Sequence, residues 1–276
     1  MRIISLTAPF KIIPIIASFI CSAYLVTPAY AADKVHVNVN YSLNIAGFKL
    51  GSVGLAARLK ETSYAISIRA FTTGGLDSLM RFTVETRARG EYNGHQVNST
   101  EYMTAYSNQR VKRHVVVKYP NDSRATVDAK PAYRAFKDSV PLRAEHLRNV
   151  VDPLGAMLLP FNKKYAINAD EQCNRVQQIF DGVTRYQLQM QAIKNTDTKF
   201  ANAIACQVGY TPIAGHRKSQ SDKTIIDNYA MAKVWLMPIE KAGVLLPVKV
   251  EIPTQFGTFS IISNSIDVGG NKIAVK

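Results

Sequence analysis

Residues 35–45 read Val-His-Val-Asn-Val-Asn-Tyr-Ser-Leu-Asn-Ile, and this strict alternation constrains the fold more than any other feature. Val35, Val37, Val39, Tyr41, Leu43 and Ile45 fall on one face, with His36, Asn38, Asn40, Ser42 and Asn44 on the other. A period of two belongs to a strand with one buried face. The pattern recurs through the chain. Ala46-Gly47 turns into a second run, Phe48 to Lys60, where Gly51 and Gly54 read as bends or bulges. Further runs are Tyr64–Phe71, Arg81–Tyr92, Gln96–Tyr106, Gln109–Tyr119 and Arg124–Asp128, with Asn93-Gly94 as a hairpin signal. Leu76, Leu79, Met80 and Phe82 after Gly74-Gly75 suggest a short helical turn, and residues 129–141 an irregular basic connection. About a dozen short strands joined by tight turns predict a mainly β fold, a large antiparallel sheet curled into an open or incomplete barrel.

One segment breaks the alternation. Asp152-Pro153-Leu154-Gly155-Ala156-Met157-Leu158-Leu159-Pro160 ends a helical stretch expected from near Leu142. Asp152 suits an N-cap and Pro153 the first helical position, while Pro160 stops the helix. Leu154, Met157 and Leu158 share one apolar face. So short a helix needs tertiary burial, and the concave side of the sheet is where this plug is expected to sit.

The second landmark runs from Cys173 to Cys206. Asp181-Gly182 reads as a two-residue hairpin turn, with a strand from Val183 to Met190 and a third from Ala203 to Tyr210. That meander is expected to bring the two cysteines together on neighbouring strands. Thr211 to Lys223 reads as a polar, basic loop, and strands resume at 228–237, 245–252, 258–268 and 272–275.

The first residues are read apart from the fold. Arg2 and Lys11 precede an apolar run, Ile12 to Val26, and Ala29-Tyr30-Ala31 is an A-x-A cleavage pattern. Residues 1–31 are expected to be a signal peptide and 32–276 a single β-rich exported domain. An uncleaved anchor competes, but the run is shorter than the roughly 20 residues a span needs. Export favours a Cys173–Cys206 disulfide over two separate thiols, and places the chain in the periplasm.

The net charge of +14 includes two positives from Arg2 and Lys11, leaving +12 for the expected mature chain. Such an excess attracts anionic surfaces. The partners this implies are lipid, lipoprotein or anionic envelope polymer, with nucleic acid excluded by compartment. Arg110, Lys112, His114 and Lys118 share one face of a strand, and Arg81, Arg87 and Arg89 share another with Glu85. They form a basic platform for anions if they lie on one side of the sheet, and otherwise a solvated outer face. Oligomeric state is left open.

Signs of catalysis are sparse. There is no nucleophile elbow, phosphate loop or His-Glu-x-x-His motif, and His36, His95, His114, His146 and His216 are scattered singly. No catalytic residue, metal ligand or cofactor is assigned. Asp181 reads as a turn former and Asp152 as a cap.

The order of features resembles the bacterial domain-of-unknown-function family 3108, a group of exported proteins. The matching pieces are Tyr41-Ser42-Leu43 with Gly47 and Gly51, Asp152-Pro153-Leu154-Gly155-Ala156, Phe180-Asp181-Gly182-Val183-Thr184-Arg185-Tyr186, and Trp235 and Pro238 with Pro247-Val248-Lys249-Val250. The resemblance implies an exported, curved β-rich domain with a helix against its concave side. That shape looks like the unclosed barrels of periplasmic lipoprotein carriers. Three roles follow as expectations: a non-enzymatic envelope protein binding a lipid-like, lipoprotein or anionic ligand, a structural or interaction protein with a self-filled barrel, and a hydrolase of envelope polymer.

Overall fold

The computed structural model describes residues 34–73, 81–94, 96–121, 123–134, 136–221 and 231–273. The expected signal peptide and the helical turn after Gly74 lie outside them, apart from Phe82. The first seven strands are β1 (Val35–Ile45), β2 (Phe48–Leu59), β3 (Ser63–Thr72), β4 (Thr83–Asn93), β5 (Gln96–Ser107), β6 (Lys112–Lys118) and β7 (Thr126–Lys130). Each pairs antiparallel with the next, because the connections between them are short. The β1–β2 register slips beside Gly51, where one extra residue bends the ribbon, but runs regularly past Gly54.

The later strands are β8 (Leu159–Pro160), β9 (Val176–Phe180), β10 (Arg185–Ile193), β11 (Ile204–Ala214), β12 (Ala232–Ile239), β13 (Val244–Thr254), β14 (Gly257–Val268) and β15 (Asn271–Ile273). β9 to β14 form a second meander, joined to the first by the β1–β14 pairing. The result is one large antiparallel sheet that curls without closing, with β7 and β9 as its two ends. β8 pairs with β13, and β15 with β14.

Unpaired ends of a sheet are liable to mispair, and the chain covers them with its own connection. Residues 139–151 cross from one side of the gap to the other. Ser139 bridges Arg217, Leu147 O accepts from Ala125 N just before β7, and Val151 forms a parallel bridge with Ile179 of β9. Tyr119 Oη donates to Phe180 O at 2.6 Å across the same seam. The 181–184 turn packs there too. Gly182 sits at φ +99, and a Cβ on it would lie 3.0–3.1 Å from the side chains of Val117 and Val115.

The concave side is filled by the chain itself. Leu154 and Leu158 are buried in the main cluster with Val37, Val39, Leu59, Tyr64 and Val115, and Met157 packs half-buried beside them. The element carrying them differs from expectation. Instead of a helix from near Leu142, there are two 3-10 turns, Ala144–Leu147 and Gly155–Met157. Pro153 biases its predecessor towards extended backbone, which interrupts any helix between the two turns. Leu159 and Pro160 are extended because they pair with β13.

Asp152 is the hub of this plug. Its Oδ1 accepts from Leu154 N at 2.8 Å and Gly155 N at 2.7 Å, as a cap does. Its Oδ2 accepts from Tyr64 Oη at 2.7 Å and Ser99 Oγ at 2.6 Å, and its own N–H donates to Ser99 Oγ. Four donors therefore meet a fully buried carboxylate. Burial raises its pKa above the ordinary aspartate value, and the hydrogen bonds oppose that rise. Gly155 leaves the space for this contact: a Cβ there would lie 2.3 Å from Tyr64 Oη.

A smaller cluster holds Leu159, Phe161, Cys173, Met190, Cys206, Val234, Leu236 and Leu245. Here Cys173 and Cys206 form a disulfide with Cα atoms 5.6 Å apart. Cys206 lies on β11, but Cys173 ends a short helix, α1 (Ala169–Cys173), rather than a strand. The sequence reading missed α1, whose start is capped by the Asn168 side chain accepting from Asp170 N and Glu171 N. α1 packs on β10 and β11. Closing a loop with a sequence separation of 33 contributes roughly 3–4 kcal/mol in the chain-entropy picture.

Two boundaries in this region also differ. The expected two-residue hairpin at Asp181-Gly182 is a four-residue connection, 181–184, in which Asp181 Oδ1 accepts from Val183 N and Thr184 N while Asp181 N donates to Thr184 O at 3.3 Å. The expected loop from Thr211 is strand as far as Ala214, and His216 beyond it is buried.

Candidate functional site

With the concave side occupied, the outer face of β1–β6 presents a groove open to a ligand. Antiparallel register places side chains in rows across it. One row reads His36, Arg58, Ala65, Arg89, Glu101 and Lys118; the next reads Asn38, Ala56, Ser67, Arg87, Met103 and Val116. A third reads Asn40, Gly54, Arg69, Glu85, Ala105 and His114. Gly54, Ala56, Ala65 and Ser67 are short, so they form the floor of a groove of about 910 Å³ between longer side chains. Strand spacing puts Arg58 and Arg89 about 10 Å apart across Ala65, measured between backbones.

Arg69 pairs with Glu85 at 2.5 Å and Arg89 with Glu101 at 3.3 Å, while Arg58 and Arg87 have no carboxylate partner among the described residues. The exposed pairs add little stability. Four guanidinium groups against two carboxylates leave the groove cationic. Guanidinium forks match phosphate and carboxylate oxygens in bidentate geometry.

The two basic strand faces read from the sequence lie on the same side of the sheet, with β5 between them. Lys112, His114 and Lys118 are exposed there, as are Arg87 and Arg89. Arg110 does not join them. β6 begins only at Lys112, and Arg110 lies in a turn where Asn108 Oδ1 accepts from the N–H groups of Arg110 and Val111. Arg81 likewise precedes β4. Arg58 and Arg69, half of the groove's arginines, were not read as site residues. Their signal was present, since the turn after Lys60 pairs β2 with β3 and places Arg58 opposite Ala65.

Leu154, Met157 and Leu158 belong to the plug described above, and Cys173 and Cys206 to the clamp at α1; neither set touches the groove. Among the described residues no three His, Cys, Asp or Glu side chains gather as metal ligands would, and no helix is long and apolar enough to cross a membrane.

No curated protein matches this chain. The fold is similar to the crystal structure of a beta-barrel-like protein of domain of unknown function DUF1849 from Brucella abortus. That similarity has a TM-score of 0.42 at 10% identity and covers 86% of this chain and 98% of that one. Residues 38–262 match the family described as protein of unknown function, DUF3108. This span holds the Asp152–Ala156 turn that plugs the sheet, the Phe180–Tyr186 hairpin that meets the seam and all four arginines of the groove, and the chain belongs to that family.

Proposed function

We propose that the protein is a non-enzymatic component of the periplasm, a self-filled scaffold that binds anionic envelope surface through its outer face. The observation that carries this reading is the arginine-walled groove over a floor of small residues. The filled concave side supports it, because Leu154 and Leu158 take the space that a carried lipid would need. Asp152, buried in the plug, and Asp181, half-buried in the hairpin, are both engaged with backbone N–H groups, a structural use rather than a catalytic one. The ligand chemistry is phosphate-like: head groups of anionic lipid, or phosphate on an envelope polymer.

Binding of the exported chain, residues 32–276, to vesicles with and without anionic lipid tests this. Arg58→Glu with Arg87→Glu is expected to weaken anionic-vesicle binding at least tenfold, while leaving the melting temperature nearly unchanged because both side chains are exposed. Competition by soluble polyphosphate separates a polymer from a membrane as the source of the anion. Equal binding to neutral and anionic vesicles, or full binding by the double variant, overturns the reading.

A further inference from the structure

A second opening, about 1100 Å³, lies at the seam of the sheet between the start of β5 and the free side of β9. Its floor is the crossing segment, residues 147–151. Val151 N donates to Gln178 O at 2.9 Å and Val151 O accepts from Phe180 N at 3.1 Å. The backbone groups of Gln178 and Phe180 therefore point outward from the end of the sheet. Those of Val176, one two-residue step earlier, point the same way. Val176 N–H, Val176 C=O and Gln178 N–H carry no hydrogen bond among the described residues. The crossing segment stops short of them because Asn149, at φ +51, turns the chain away.

Three unpaired backbone groups at strand spacing form a template for another extended chain. The walls suit a peptide. Gln96, Asn98, Asn121, Asn174 and Gln177 line the opening above Asn149 of the floor, and each carboxamide offers the donor and acceptor that a peptide group requires. Glu91 and Glu171 balance Arg148 and Arg175, so this cleft lacks the cationic bias of the outer groove.

We propose that an extended segment of a partner protein docks in this cleft by strand addition to β9 along Val176–Gln178, in line with Val151. The chain already uses this line once, since Val151 makes the first rung and an incoming backbone continues it. Affinity comes from main-chain hydrogen bonds and selectivity from the carboxamide walls, as in other strand-addition sites.

Val176→Pro removes the outward N–H without breaking a bond inside the sheet, and proline is tolerated at such an end strand. Val176→Thr keeps the N–H and serves as control. A display library of short random linear peptides is panned on the exported chain, residues 32–276. Enriched peptides are expected to bind Val176→Thr as well as wild type and Val176→Pro about tenfold more weakly, the worth of one backbone hydrogen bond. On the unsubstituted chain they should also slow hydrogen exchange at the Val176 and Gln178 amides, a readout that holds even if Val176→Pro folds poorly. Peptides that leave those two amides unprotected overturn the proposal, as does a library with no enrichment. An N-acetylated oligosaccharide that perturbs the cleft when no peptide does would assign it to sugar instead.

Discussion

At the scale of a single residue, Asp152 shows how one side chain serves two purposes. Its Oδ1 holds the turn that starts the plug, and its Oδ2 ties that turn to Tyr64 on β3 and Ser99 on β5. Asp152→Asn replaces Oδ2 with an NH₂ group facing two hydroxyls that donate in the wild type. A loss of about 1.5–3 kcal/mol at neutral pH is expected, as for hydrogen bonds to a charged group. The pH dependence has a definite sign. Burial lifts the folded-state pKa above the unfolded value near 3.8, so the folded protein holds this proton more tightly. The carboxyl then contributes most below about pH 3.8 and less as the pH rises through its folded value. Denaturation of both forms across that window should show the stability gap widening on acidification. A gap that narrows would mean that the four donors outweigh desolvation.

At the scale of an element, the plug replaces a helix by a 3-10 turn, an extended pair and a carboxylate cap. Leu158 is fully buried in the main core cluster. Leu158→Ala is expected to cost about 2–5 kcal/mol by chemical denaturation, the range for buried leucine truncations. Vesicle binding by the folded fraction should be unchanged, because the groove lies on the opposite face of the sheet. An unchanged melting temperature would place Leu158 at the surface and contradict the filled interior. α1 teaches the same lesson from another side. Its five residues cannot persist alone, and the disulfide with packing on β10 and β11 holds them.

For the whole molecule, two meanders share one seam at β1–β14 and leave a second seam that the 139–151 crossing covers. Curling puts apolar residues inward and leaves Arg58, Arg87, Arg89, Lys112 and Lys118 exposed on the outer face of the sheet. Attraction of anions to that face is screened by salt, with a Debye length of about 10 Å at 0.1 M falling to about 3 Å at 1 M. Anionic-vesicle binding should fall steeply over that range while thermal stability changes little, which titration in parallel with melting checks. Binding that survives high salt would point to apolar insertion instead.

Strand content was legible in the sequence because a period of two is a local property. Val35–Ile45 was bounded to the residue and most other strands to within a few residues, while Leu159–Pro160, read as the end of a helix, is a strand. The pairing of Cys173 with Cys206 was read from the expectation of export and from their number. Arg87, Arg89, Lys112, His114 and Lys118 were legible as basic strand faces for the same reason of phase. What the sequence could not supply was neighbourhood. The β1–β14 pairing joins residues more than two hundred positions apart, and no local pattern encodes it. The rows that bring Arg58 and Arg69 beside Arg87 and Arg89 exist only once three strands, β2, β3 and β4, are in register. The plug was misjudged as a helix because its spacing of Leu154, Met157 and Leu158 fits one turn of either kind. Only the demand of β13 for a partner at Leu159–Pro160, and of Tyr64 and Ser99 for the Asp152 carboxylate, decides the backbone there. Periodicity determined which residues turn inward. Long-range hydrogen bonding and packing decided what they meet.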